Sequence, residues 1–249
     1  MNDWTTAKII QIKKWNNTLF SLILNASIHP FIPGQFSRLL YIQKNGTKIQ
    51  RAYSYVNTPE DINLEFCITL IPQGQLTPKL YCLSCMDKIM IRKTALGFFI
   101  LKEIPYCKNL WMFATGTGIG PYLSILKNER NTKKFKNIIL VHAVRYYNDL
   151  IYLPLINKLK KQYDGKLHIQ IIISREVTNF SLHGRIPKLL ENNILENKLG
   201  FKINKDTCHV MLCGNPNMVK DTKKFLIENR EMKKHLRKNP GQITSENYW

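Results

Sequence analysis

Leu110-Trp111-Met112-Phe113-Ala114-Thr115-Gly116-Thr117-Gly118-Ile119-Gly120-Pro121 is the stretch that decides the fold. It opens as an apolar run of strand length. Three glycines then alternate with Thr117 and Ile119, and Pro121 stands at the start of a helical segment. A strand running into a glycine turn and then a proline-opened helix suits a nucleotide phosphate, because free N–H groups and the positive end of the helix dipole converge there. Taken alone the turn is weak evidence, since Gly116-x-Gly118-x-Gly120 does not have the usual dinucleotide fingerprint spacing.

A second motif lies upstream. Arg51-Ala52-Tyr53-Ser54 puts a cation, a flat ring and a small hydroxyl within four residues. Those groups could hold a flavin: Arg for phosphate, Tyr to stack on the ring, Ser to hydrogen-bond at its reactive edge. An isolated Arg-x-Tyr-Ser is an ordinary alternating strand. Followed by the glycine turn, it reads as a flavin site ahead of a nicotinamide site, the layout of an electron-transfer flavoenzyme.

The two motifs sit in regions of different pattern. Up to about residue 100, short apolar runs (Thr18–Leu24, Phe36–Ile42, Arg51–Val56, Leu64–Ile71, Lys88–Ile91) are punctuated by Pro33-Gly34, Asn45-Gly46 and Gln73-Gly74. That spacing predicts an antiparallel β-sandwich or β-barrel, with one helix over Lys79–Cys85 capped by Thr77 and opened by Pro78. After Pro105, strands at Leu110–Ala114, Ile138–Ala143, His168–Ile173 and His209–Cys213 alternate with helices at Pro121–Asn128, Leu150–Gln162, Pro187–Asn192 and Asn217–Glu228. Alternation of this kind predicts an α/β domain with a parallel five-stranded sheet, whose ligands bind at the carboxyl ends of the strands. The expected division is two domains, residues 1–102 and 103–249. Arg145, Ser174-Arg175 and Gly214-Asn215 each follow a predicted strand at that end.

Composition narrows the function classes. With 44% hydrophobic and 10% aromatic residues the chain can build real cores, which excludes a disordered protein. The net charge of +20 has three readings: compositional drift toward Lys, Asn and Ile, steering of an acidic partner, and nucleic-acid binding. The last ranks lowest, because the lysines are scattered and accompany no nucleic-acid motif. The N-terminal Met-Asn-Asp-Trp has no apolar signal region and no run is long enough to span a bilayer, so a cytoplasmic protein with reduced thiols is expected. Cys82-x-x-Cys85 invites a redox or metal role, but it has no second pair and would share one face of the predicted helix. No metal is expected. The usual acid about twenty residues beyond the glycine turn, which would grip a ribose hydroxyl, is missing. Arg145, Arg175 and Arg185 stand in the region instead, and forked guanidinium contacts suit a phosphate, hence NADP rather than NAD.

Gln50-Arg51-Ala52-Tyr53-Ser54-Tyr55, the Gly116–Pro121 turn, Cys213-Gly214-Asn215-Pro216 and the closing Tyr248-Trp249 occur in this order in the bacterial ferredoxin/flavodoxin–NADP⁺ reductases. The sequence resembles that family over essentially its whole length, most nearly the enterobacterial type. The resemblance implies an FAD-binding barrel followed by an NADP-binding α/β domain. It implies a monomer that passes electrons from NADPH through FAD to an acidic flavodoxin or ferredoxin. For FAD it implies contacts from Arg51, Ala52, Tyr53, Ser54, Cys67, Ile68, Thr69, Gly74, Gln75, Leu76, Thr77, Thr117, Tyr248 and Trp249. Tyr248 would lie near the flavin ring and Trp249 against a folded-back adenine. For NADP it implies Val144, Arg145, Ser174, Arg175, Arg185, Asn215, Pro216 and Asn217, with Ser54, Tyr53 and Cys213 at the point of hydride transfer. Glu246 is either a proton relay or, as favoured from sequence, a tail carboxylate without a role. The rival readings are a reductase of small oxidants or free flavins on the same fold, and a basic nucleic-acid-binding protein.

Overall fold

A computed structural model of the chain describes residues 3–248. The chain forms two compact units, one of Met1–Ile100 with Gly120–Asn128, the other of Leu101–Ile119 with Glu129–Trp249. The two units are therefore not consecutive in sequence.

The first unit is a six-stranded antiparallel sheet: β1 (Trp4–Lys14), β2 (Leu19–Asn25), β3 (Phe36–Ile42), β4 (Lys48–Ser54), β5 (Leu64–Thr69) and β6 (Lys88–Arg92), in the order β4-β3-β6-β1-β2-β5. Its edge strands return to each other where Tyr55 bridges Phe66 and the Val56 N–H donates to the Glu65 carbonyl at 2.9 Å. This curls the sheet into the expected barrel. Alternation supplies the interior: Phe20, Leu22 and Leu24 of β2 point inward with Leu39, Phe66, Ile68 and Ile91, and Phe31 stacks on Tyr55 at 3.9 Å between ring centroids. Each such side chain contributes roughly 1.5–3 kcal/mol on burial.

Strand β1 gives little sequence signal, because the register shifts between Ile9 and Gln11 and its lysines interrupt the alternation. The helix here is shorter than expected. α1 covers Thr77–Tyr81, its N-cap is Leu76, and Cys82 is already the C-cap. Thr77 does not cap it: Thr77 Oγ1 accepts the Ile71 N–H at 2.9 Å and donates back to the Ile71 carbonyl. Beyond Cys82 the chain turns, with the Ser84 N–H on Asp87 Oδ2 at 2.7 Å and Met86 at φ 79. Cys82 and Cys85 are exposed and share no helix face. α2 (Gly120–Leu126) also belongs to this unit; Ser124 Oγ donates to the Asn57 carbonyl at 2.6 Å and Tyr122 meets Phe99 edge-on.

The second unit is a parallel sheet of six strands, not five: β7 (Asn109–Thr115), β8 (Asn137–Val144), β9 (Leu167–Ile173), β10 (Leu182–His183), β11 (Cys208–Gly214) and β12 (Ile243–Asn247). Its helices are α3 (Leu153–Gln162), α4 (Ile186–Glu191), α5 (Ile194–Leu199) and α6 (Pro216–Arg230). Both edge strands escape a periodicity reading, β10 because it has two residues and β12 because Ile243-Thr-Ser-Glu-Asn247 buries only its first residue. The order β10-β9-β8-β7-β11-β12 shows the chain moving outward from β7 on one side, then returning to build the other. The carboxyl ends of β7 and β11 thus flank the topological switch point, where such sheets bind ligands. Trp111 and Phe113 stack at 5.7 Å inside a core shared with Ile139, Val141, Val210 and Leu212.

Candidate active site

The switch point is formed by two close backbone approaches. Past β7 the chain makes a 3-10 turn over Gly116–Ile119, and Gly118 packs so tightly on β11 that a Cβ would stand 2.6 Å from the Cys213 carbonyl oxygen. On the facing strand Gly214 has φ +131, and a Cβ there would meet Thr115 Oγ1 at 2.1 Å. Only glycine fits either position. Thr115 Oγ1 accepts the Asn215 N–H at 2.8 Å, tying the end of β7 to the start of α6. Asn215 caps that helix, its Oδ1 accepting the N–H groups of Asn217 and Met218, with Pro216 in the first turn. Thr117 is buried within the turn.

Strand β12 brings further groups to this point. It pairs with β11 so that Cys213 lies opposite Glu246 and Gly214 opposite Asn247, and the Tyr248 N–H donates to the Gly214 carbonyl at 2.9 Å. The Cys213 thiol is fully buried. Burial pushes its pKa far up, the Glu246 carboxylate adds to the rise, and a hydrogen bond with Tyr248 opposes it. Cys213 is a neutral thiol at physiological pH.

Three arginines form a row along the other side of the sheet. Arg145 follows β8, Arg175 follows β9, and Arg185 follows β10 as the N-cap of α4. Their strands are consecutive neighbours. The row is held by backbone bonds: the Ser174 N–H donates to the Val144 carbonyl and the Arg175 N–H to the Arg145 carbonyl, both at 3.0 Å. The guanidinium groups of Arg145 and Arg185 point to solvent, and Arg175 Nη1 donates to the Tyr146 hydroxyl at 3.2 Å. None of the three is neutralised by a carboxylate in an ion pair among the described residues. Such a row can grip a multiply charged phosphate.

In the barrel unit, Arg51, Ala52, Tyr53 and Ser54 end β4, paired with Leu39, Arg38, Ser37 and Phe36 of β3. Arg51 and Tyr53 share one face of the strand, with Ala52 and Ser54 on the other. Arg51 is exposed, Ser54 is buried, and burial raises the Tyr53 hydroxyl well above its ordinary pKa against the opposing charge of Arg51. Gly74 and Gln75 line a cleft of about 390 Å³ with Ile49, Thr47 and Pro78, and the next residue, Leu76, is buried. Cys67, Ile68 and Thr69 end β5, with Ile68 in the barrel core.

The "Oxidoreductase NAD-binding domain" family model matches residues 112–224. The chain is 63% identical over 249 residues to the flavodoxin/ferredoxin–NADP reductase of Buchnera aphidicola subsp. Baizongia pistaciae, and 51% identical over 249 residues to that of Escherichia coli, covering 100% of each chain in both cases. The chain belongs to the flavodoxin/ferredoxin–NADP reductase family. Among solved structures, a Neisseria gonorrhoeae ferredoxin–NADP⁺ reductase with bound FAD and NADP matches at a TM-score of 0.92 and 33% identity, over 99% of both chains.

Glu246 reads as a tail carboxylate because its neighbours are polar, yet strand pairing sets it beside Cys213. The only sequence signal was its place two residues before Tyr248. Trp249 lies outside the described residues. Among the described residues, no helix is long and apolar enough to cross a membrane.

Proposed function

We propose that this reductase moves electrons between NADPH and a flavodoxin or ferredoxin through bound FAD, and that it works as a cytoplasmic monomer. The observation that carries the coenzyme choice is the row Arg145, Arg175 and Arg185 at the ends of three adjacent strands, with no carboxylate paired to it among the described residues. A ribose hydroxyl would call for an acid there; a 2′-phosphate calls for guanidinium groups. Val144 and Ser174 frame this end, and Asn215, Pro216 and Asn217 offer the start of α6 to the diphosphate.

Arg51, Ala52, Tyr53 and Ser54 would hold FAD, with Cys67, Ile68 and Thr69 beside them, and Gly74, Gln75, Leu76 and Thr77 at its diphosphate. Thr117, Tyr248 and Trp249 complete the set. The residues suit the group: a cation, a half-buried ring, a buried hydroxyl and an open cleft. Bound FAD supplies the conversion between a two-electron hydride donor and a one-electron acceptor. The chain's own part is positioning. Gly118 and Gly214 let the turn after β7 and the end of β11 pack backbone against backbone, which fixes the geometry of the switch point. Cys213, held neutral, presents a small polarizable group without a competing charge. Glu246, set beside that thiol by the strand pairing, helps keep it protonated, and Tyr248 shares a hydrogen bond with it.

The net charge of +20 fits attraction of an acidic carrier. NADPH-driven reduction of flavodoxin or ferredoxin should slow as salt rises, more steeply than reduction of ferricyanide, which needs no protein docking surface. Equal salt slopes would remove the docking claim.

A further inference from the structure

We propose that His142 is a positioning residue for the glycine turn: its Nε2–H holds the Gly116 carbonyl and keeps the turn seated against Cys213. This rests on the reading that the turn serves the coenzyme.

His142 lies near the end of β8, in register with Ala114 of β7 and Ile171 of β9. Its neighbours Val141 and Ala143 face the large core around Trp111, so the imidazole faces the other side of the sheet. There Nε2 lies 3.0 Å from the Gly116 carbonyl oxygen, at the first residue of the turn. A carbonyl can only accept, so Nε2 carries the proton and Nδ1 is left with a bare lone pair. Nδ1 is buried and has no hydrogen-bond partner among the described residues. A hydrophobic side chain would fill the same space without leaving a buried nitrogen unpaired. Histidine is therefore explained by its one bond and not by packing.

The bond is fixed across the physiological range. Burial drives the imidazole pKa down to about 4, with the Gly116 bond opposing, so the ring stays neutral and always donates from the same nitrogen. What it holds matters because the chain reverses at Gly116 and, two residues later, Gly118 meets the Cys213 carbonyl with no space to spare. Without His142 the Gly116 carbonyl would keep only the bond that closes the 3-10 turn, the turn would lose its tie to β8, and the Gly118 contact would loosen with it. The arginine row lies past the ends of β8, β9 and β10, outside the glycine turn.

The test uses the FAD-loaded enzyme with His142→Leu, which fills the space without a donor, and His142→Gln, whose amide can reach with an N–H. Flavin reduction by saturating NADPH should fall about tenfold in His142→Leu, as expected for the loss of one buried hydrogen bond, with NADPH affinity within about twofold of native. His142→Gln should recover to within about threefold. Equal loss in both variants, no loss in either, or a loss confined to NADPH affinity would overturn the proposal. A readout independent of turnover is the ¹⁵N-resolved tautomer of His142 in the native protein. The Nε2–H form is expected with and without coenzyme, and the Nδ1–H form would overturn the proposal even if His142→Leu failed to fold. Absence of NADPH-driven flavin reduction in the native protein would instead count against the functional reading, leaving the tautomer to decide the hydrogen bond.

Discussion

Cys213 and Glu246 stand opposite each other on adjacent parallel strands, β11 and β12, at the carboxyl end of the sheet. The pairing sets a carboxylate beside a buried thiol, and both burial and that charge keep the thiol protonated. Cys213, proposed to stand next to the reacting atoms, would as a neutral group act mainly in the transition state. Cys213→Ala should therefore lower kcat for NADPH oxidation about tenfold or more while changing KM less. A rise in KM with kcat intact would mean that Cys213 only binds.

The second expectation concerns Gly214, whose φ of +131 and missing side chain make room for Thr115 Oγ1. Gly214→Ala adds backbone strain of about 1–3 kcal/mol as well as a clash. A fall of several degrees in Tm is expected, with activity lost ahead of stability. Thr115→Val, which removes only the acceptor for the Asn215 N–H, should be milder, about 1 kcal/mol. Native-like stability in Gly214→Ala would show that the turn and β11 are not packed this closely.

Coenzyme choice should follow the arginines. In Arg145→Ala/Arg175→Ala the KM for NADPH should rise far more than that for NADH, each lost charge-assisted bond being worth about 1.5–3 kcal/mol. Parallel weakening of both coenzymes would mean that the row does not read the 2′-phosphate.

Acid should destabilise the sheet unit before ordinary carboxylate titration begins. Burial lowers His142 to about 4 and His209 to about 3, with His235 and Lys134 adding to the shift at His209. The unfolded chain then binds more protons than the folded one below about pH 6.5. Their contribution is complete above that pH and is lost as pH falls toward the folded values. Between pH 6.5 and 5 each histidine costs about 2 kcal/mol. Thermal unfolding followed at pH 7, 6 and 5 should show Tm falling over this window, and a flat profile would mean that the two rings are not buried as described.

The sequence was most legible where period and composition agree. β3 was placed to the residue, and β7, β8, β9 and β11 emerged as apolar runs because both faces of a parallel sheet are buried. The motifs proposed for the site stood out because glycine, arginine and proline carry their geometry with them. Long-range pairing was not. β12 has no apolar alternation, so only the β11 register shows that Ile243–Asn247 is a strand and that Glu246 reaches Cys213. β1 was hidden by its register shift. His142 reads as one more residue of an apolar strand until its distance to Gly116 is known.

The most direct test of the central claim is anaerobic rapid mixing of the FAD-loaded protein, first with NADPH or NADH and then with oxidised flavodoxin or ferredoxin. NADPH should bleach the flavin absorbance band far faster than NADH, and addition of either carrier should restore the band as the carrier is reduced. Equal bleaching by both coenzymes, or a bleached protein that neither carrier reoxidises, would contradict the account.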